Sequence, residues 1–188
     1  MMPPRKEMDE EMKTNNKKRK REILEENKDN KIIGYDHQDS NKLFFYRPPH
    51  LVNLVQQVMQ KIEEDLGGRE IKMVIQKKIC RCDLSFHAFS IPENGILEDA
   101  RDFLKPYEVE FLKMTSSRSI SVSLFDHNLQ QFYMFLSWWQ MSNISFYDLS
   151  HCWKEVVQRN NLKLDDVVQL WSFRRDHDLG FALVKLTQ

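Results

Sequence analysis

Glycine is scarce in this chain: there are five in 188 residues, at positions 34, 67, 68, 95 and 180. A phosphate-cradling loop needs several glycines close together, so this spacing excludes one. Cysteine is scarcer still. Cys80, Cys82 and Cys152 are an odd number and too few for a disulfide scaffold, which points to a reducing compartment. No long apolar run exists. The longest, Phe132 to Leu136, has five residues, against the ~20 that a spanning helix needs. The first thirty residues carry charges where a secretory signal would have its apolar core. Neither sign of charge dominates, since 28 Lys and Arg balance 28 Asp and Glu. With 30% charged and 41% hydrophobic residues, the chain reads as one globular domain with extensions.

The zero total hides distinct segments. Residues 1–31 hold ten basic and eight acidic residues and almost no large apolar ones. Such a stretch cannot bury enough surface to offset its chain entropy, and a disordered tail is expected over residues 1–43. Within it Lys17, Lys18, Arg19, Lys20 and Arg21 stand in a row. Adjacent cations repel one another and keep the chain extended, the form an acidic groove grips. The run reads as a nuclear localisation signal, with importin as its partner and the nucleus as its destination.

Residues 44–70 contain one clear helix pattern. Leu51, Leu54, Val55, Val58, Met59, Ile62 and Leu66 recur at offsets of 0, 3, 4, 7, 8, 11 and 15, an amphipathic stripe over residues 50–66. Pro48-Pro49 opens it and Gly67-Gly68 closes it. An isolated helix of this length is marginal, so the stripe must dock, either on the neighbouring domain or in a partner protein's groove.

Residues 71–188 are dominated by strand signals. Ile71 to Ile75 is one candidate. Arg118 to Phe125 alternates polar and apolar, as a half-buried strand does. Leu129 to Trp139 is rich in aromatics, Phe146 to Leu149 is short, and Asp166 to Phe173 and Leu179 to Leu186 flank a hairpin turn at residues 174–178. Two short helices are expected, Pro106 to Met114 and His151 to Asn160, the second capped by Ser150. The pattern implies a mainly β domain, a barrel or sandwich whose ends the two helices plug. Trp153 and Trp171 read as core.

Enzyme chemistry finds little support. Cys80-x-Cys82 with His87 lacks metal-knuckle spacing, and alternating cysteines on a strand simply share a face. Cys152 beside His151 has no supporting acid. Neither a metal nor a cofactor is expected, and the protein reads as a non-enzyme.

A resemblance carries the reading further. Lys78-Ile79-Cys80-Arg81-Cys82-Asp83-Leu84, followed by Ile91-Pro92, resembles the opening of the plant B3 DNA-binding domain. Phe103-Leu104-x-Pro106-x-Glu108 is similar to its first helix. Tyr147-x-Leu149-x-x-x-Trp153-x-x-Val156-Val157, Asn161-Leu162-x-x-x-Asp166-Val167-Val168, Leu170-Trp171-Ser172-Phe173-Arg174 and Phe181-Ala182-Leu183-Val184 resemble its second half. The likeness spans about residues 44–187. It is greatest to a diverged branch with a leader helix and a Trp-Ser-Phe-Arg segment.

The resemblance implies an open seven-stranded pseudobarrel over residues 71–188. It also implies a nuclear, sequence-selective DNA-binding protein of the plant transcription-factor type, entering the major groove of double-stranded DNA with two arms. Those arms are Lys78 to His87 and Tyr147 to Lys154. Lys77, Lys78, Arg81, Lys154 and Arg118 would meet phosphates, while Ser85, His87, Ser150 and His151 would read base edges. The start of the second helix would add an anion site. The other reading is a B3-derived interaction module that has lost DNA binding. It is motivated by the neutral barrel, with fourteen basic and fourteen acidic residues in 71–188, and by the 50–66 helix as a partner-binding element.

Overall fold

The computed structural model describes residues 49–115, 118–141 and 143–186. The tail and its basic run, Lys17 to Arg21, lie outside the described residues. Helix α1 (Pro49–Leu66) follows from the apolar spacing, and its stripe is covered. Val55, Val58 and Ile62 pack with Phe125, Phe173, Ala182 and Val184, and Leu54, Met59 and Leu66 flank them. The described part of the stripe therefore docks on the domain through Val55, Val58 and Ile62. Gly67 ends the helix at φ +67 and the Gly68 amide reaches the Ile62 carbonyl at 2.8 Å. This is the left-handed stop that glycine favours.

The chain continues through β1 (Arg69–Lys78), α2 (Arg81–Ser85), β2 (Phe89–Pro92), two 3-10 turns, α3 (Pro106–Met114), β3 (Ser119–Phe125), β4 (Gln131–Met141) and β5 (Ile144–His151). It ends with α4 (Trp153–Arg159), β6 (Val167–Arg175) and β7 (Asp178–Lys185). The strands form one seven-stranded sheet in the order β1-β6-β7-β3-β4-β5-β2. Only β3 and β7 run parallel; the other neighbours are antiparallel. β1 and β2 are the two edges. No ladder joins them, but the Leu97 amide bonds the Val74 carbonyl at 3.0 Å and the Lys77 Nζ reaches the Ser90 carbonyl at 2.9 Å. The sheet thus curls into an open pseudobarrel.

Its interior is lined by Val74, Ile75, Phe89, Ile91, Leu124, Met134, Leu136, Leu149, Leu170 and Phe181, among others. β7 is apolar at nearly every position because both of its faces are covered. Leu179, Phe181 and Leu183 point into the barrel, while Ala182 and Val184 lie under α1. Gly180 sits where a Cβ would come within 2.5 Å of the Phe173 ring, so only glycine fits there without a shift. The helices take opposite mouths. Trp153 and Val156 of α4 plug one, and Leu112 of α3 plugs the other. α3 is fastened by a buried pair. The Arg174 guanidinium donates to both Glu108 carboxylate oxygens, at 2.7 and 2.6 Å, and to the Phe103 carbonyl at 2.8 Å.

Several expectations change. Cys80 is not on a strand: it caps the five-residue helix α2, which the sequence pattern did not reveal. β1 is longer than Ile71 to Ile75 because it ladders along β6 from Arg69 to Lys78. The β6–β7 turn is tighter, with Arg175 paired to Asp178 and Asp176 at φ +57. α4 starts at Trp153 after Cys152, so Ser150 and His151 close β5 and do not cap the helix. Of the two core tryptophans, Trp153 is fully buried, but Trp171 is only half-buried. It lies on the outer face of β6 beside the α1 cluster, with its Nε1 on the Gln169 amide oxygen at 3.1 Å.

Candidate nucleic-acid interface

The first arm links the two edge strands, and one carboxylate organises it. Asp83 is fully buried. Its Oδ1 accepts the Lys77 Nζ at 2.9 Å and the Ser90 amide at 3.2 Å. Its Oδ2 accepts the Cys80 amide at 3.0 Å and the Cys80 thiol at 3.1 Å. The Asp83 amide in turn donates to the Cys80 Sγ at 3.4 Å, which gives a reciprocal cap on α2.

Lys77 was expected at a phosphate. It lies on the same strand face as Ile75 and Ile79, 17% exposed, with its ammonium on Asp83 and 4.6 Å above the Phe89 ring. Burial works against its charge, but the Asp83 carboxylate, with Cys80 adding to it, outweighs that and raises the Lys77 pKa above its ordinary value. Lys77 therefore closes the seam between β1 and β2, with its ammonium held by Asp83 and the Ser90 carbonyl.

The second arm runs from β5 into α4. β5 pairs with β2 in the register Phe89 to Leu149 and Ser90 to Asp148, so the ends of both arms lie side by side. Two side-chain contacts fix them together. The Trp153 Nε1 donates to the Asp83 carbonyl at 2.8 Å, and the Trp153 and Phe89 rings pack with centroids 5.0 Å apart. The Ser90 hydroxyl adds a bond to the Asp148 carboxylate at 2.7 Å. Segments seventy residues apart in sequence thus meet at one mouth of the barrel.

Around this joint the exposed side chains are Lys78, Arg81, Ser85 and His87 from the first arm and His151 and Lys154 from the second. Lys78, Arg81 and Lys154 form no ion pair with any described residue. His87 at φ +56 and His151 at φ +75 both hold left-handed backbone, one in each arm. Such conformations cost non-glycine residues about 1 kcal/mol or more and concentrate at binding sites. The His151 ring lies 5.1 Å from that of Phe135, an exposed β4 residue that the sequence pattern did not single out. Ser150 is half-buried, with a long 3.4 Å contact to the Phe135 carbonyl.

Two expected features are not at this mouth or are already occupied. Arg118 precedes β3 at the α3 end, with its guanidinium 4.7 Å above the Phe111 ring of α3. It is four residues back from Val122, which shares the Met134–His151 row, a separation of about 13 Å along a strand. At the start of α4, the Glu155 and Val156 amides already reach the Cys152 carbonyl at 3.0 and 3.1 Å, and Glu155 puts an anion in the first turn. Of the amides expected to grip a phosphate, that of Glu155 is therefore already used.

Cys80 has a lowered pKa. The Cys82 thiol donating to it is the main cause, burial and Asp83 oppose the shift, and the Lys77 cation aids it. Among the described residues no helix is long and apolar enough to cross a membrane.

Residues 48–187 match the family model described as B3 domain-containing protein At2g31720-like. Similar curated proteins come from Arabidopsis thaliana. B3 domain-containing protein At2g31420 is 29% identical over 138 residues, which covers 68% of this chain and 64% of that protein. At1g05920 is 30% identical over 152 residues, covering 74% and 48%. At1g05930 is 27% identical over 132 residues, covering 66% and 40%. The chain thus spans between 40% and 64% of these relatives' lengths. Among solved structures it is similar to the Arabidopsis FUS3–DNA complex, at 15% identity over 62% of this chain and 98% of that one, with a TM-score of 0.45. It is also similar to the Arabidopsis thaliana transcription factor LEC2–DNA complex, at 16% identity over 61% and 95%, with a TM-score of 0.43.

Proposed function

The chain belongs to the B3 domain family, and from that premise we propose that it is a nuclear, sequence-selective DNA-binding protein of the transcription-factor type. One observation carries the reading. Two arms joined by the Trp153–Asp83 bond present Lys78, Arg81 and Lys154 with no ion-pair partner among the described residues. A duplex phosphate backbone is the ligand that such spaced cations suit, and cations at phosphates fix register without choosing sequence. Ser85, His87, Ser150 and His151 lie beside them as donors and acceptors for base edges in the major groove. The run Lys17 to Arg21 is proposed as the importin ligand that delivers the protein to the nucleus.

The experiment is a duplex selection from a random pool with the full chain, followed by titration of the selected duplex at about 50 and about 200 mM salt. A consensus word with affinity falling as salt rises is expected. Weak binding with no selected word and no salt dependence defeats the proposal.

A further inference from the structure

Phe135 belongs to neither arm, yet both base-edge candidates of the second arm touch it. Its ring centroid lies 5.1 Å from that of His151, with the two planes at 50°. Its carbonyl accepts the long 3.4 Å contact from the Ser150 hydroxyl. The ring is 42% exposed, on the outer face of β4. We propose that Phe135 is a positioning residue for DNA recognition: its ring holds the His151 imidazole on the barrel surface in one orientation, ready for a base edge. The inference rests on the function proposed above and deepens it.

Strand register shows why His151 needs a neighbour there. β5 pairs with β4 so that Ser150 stands opposite Phe135 and His151 opposite Met134. Residues directly opposite share a face of the sheet. Met134 is 1% exposed and belongs to the core, so an unbroken strand would send His151 inward as well. Instead His151 leaves strand geometry at φ +75, and its side chain is exposed. Left-handed backbone is disfavoured for a residue with a Cβ. The surface that the turned-out imidazole meets is the Phe135 ring.

The contact matters because base readout is exacting. A donor or acceptor must come within about 3 Å of one base atom at a defined angle. An exposed histidine rotates about its side-chain torsions, and no hydrogen bond to the His151 ring from any described residue fixes them. Freezing such a side chain on binding costs entropy, and packing it beforehand removes that cost. The contact leaves His151 exposed, so the imidazole is held without being closed off from a ligand. Phe135 has no side-chain donor or acceptor, so its effect on hydrogen-bonded readout comes through His151.

The test compares the full chain with Phe135→Ala, Phe135→Tyr, His151→Ala and the double variant Phe135→Ala/His151→Ala. The first reading is NMR of the free proteins, with the imidazole resonances of His151 assigned by their loss in His151→Ala. Phe135→Ala should move them toward the position of free histidine, and Phe135→Tyr should keep them near the parent. The second reading is duplex titration with the selected word and its single-base variants. At the base pair that His151→Ala identifies, Phe135→Ala should lower discrimination roughly fivefold. The salt slope should stay as in the parent, and Phe135→Tyr should restore the discrimination. The double variant should lose no more than His151→Ala does, because one residue acts through the other. Unmoved His151 resonances in Phe135→Ala, or losses that multiply in the double variant, would overturn the inference. A parent that selects no word defeats the function proposed above and the DNA half of this inference with it. The resonances of the free chain still decide whether Phe135 holds the ring, so the two failures are distinct.

Discussion

Lys77 and Lys78 are neighbours of the same type, and the structure gives them opposite roles. Successive side chains on a strand face opposite ways, so the second of two lysines must point away from the first. Ile75 and Ile79 are buried, and Lys77 shares their face; Lys78 faces water. That pattern was present in the sequence as Ile-x-Lys-x-Ile, and composition alone masked it by counting both as basic. The partner of Lys77 could not be read so easily, because Asp83 reaches it only after the turn into α2. Asp83→Ala should therefore cost about 3–5 kcal/mol, the usual result of leaving a buried cation unpaired. Arg81→Ala, two residues earlier but solvated, should change stability by less than about 0.5 kcal/mol. Denaturant melts of the two variants read the difference directly, and equal losses would mean that Asp83 is not the anchor described.

At the scale of elements, strand and helix identity was largely legible and their fastening was not. β3 alternates in sequence because Val122 and Leu124 enter the core while Ser119 and Ser121 face water. β7 does not alternate because α1 covers its second face, a fact that belongs to the packing. α3 was expected over Pro106 to Met114 and is found there. Its fastening, Glu108 to Arg174, joins two of the segments on which the family resemblance rests, 66 residues apart, and no spacing rule foretells it. Burial raises the cost of the Glu108 charge, but the Arg174 hydrogen bonds and the Lys105 amide overcome it and set its pKa below the ordinary 4.5. A carboxylate with a lowered folded pKa stabilises fully above its unfolded value, and that contribution is lost as pH falls through the folded value. Glu108→Gln should cost about 3–5 kcal/mol near neutral pH. The gap between variant and parent should then narrow on acidification below about pH 4.5, because the parent loses there what the variant already lacks. Melts across an acid series check this; a gap that stays constant would assign the stabilisation to packing and not to the charge.

For the whole molecule the decisive property is which end of the barrel each cation occupies. The seven strands carry residues distant in sequence to a shared mouth, and they also separate residues that a basic-residue count lumps together. Arg118 precedes a strand whose first residue lies toward α3, at the end of the barrel away from the arms. The exposed cations of the two arms are three, Lys78, Arg81 and Lys154, in a barrel of zero net charge. Each neutralised phosphate releases counterions and contributes about −0.9 to the slope of log affinity against log salt, so a slope near −3 follows for this surface. Lys154→Ala should reduce that slope by about 1 and weaken all duplexes alike, since a phosphate contact carries no sequence information. Arg118→Ala should leave both slope and affinity unchanged, because its guanidinium rests on Phe111 at the other mouth. His151→Ala should instead relax the preference for particular bases while leaving the slope nearly intact, as loss of a base-edge contact does. Duplex titrations of the three variants across a salt series separate these roles. A slope that falls for Arg118→Ala as much as for Lys154→Ala would move the binding surface off the arms and onto the flank of the barrel.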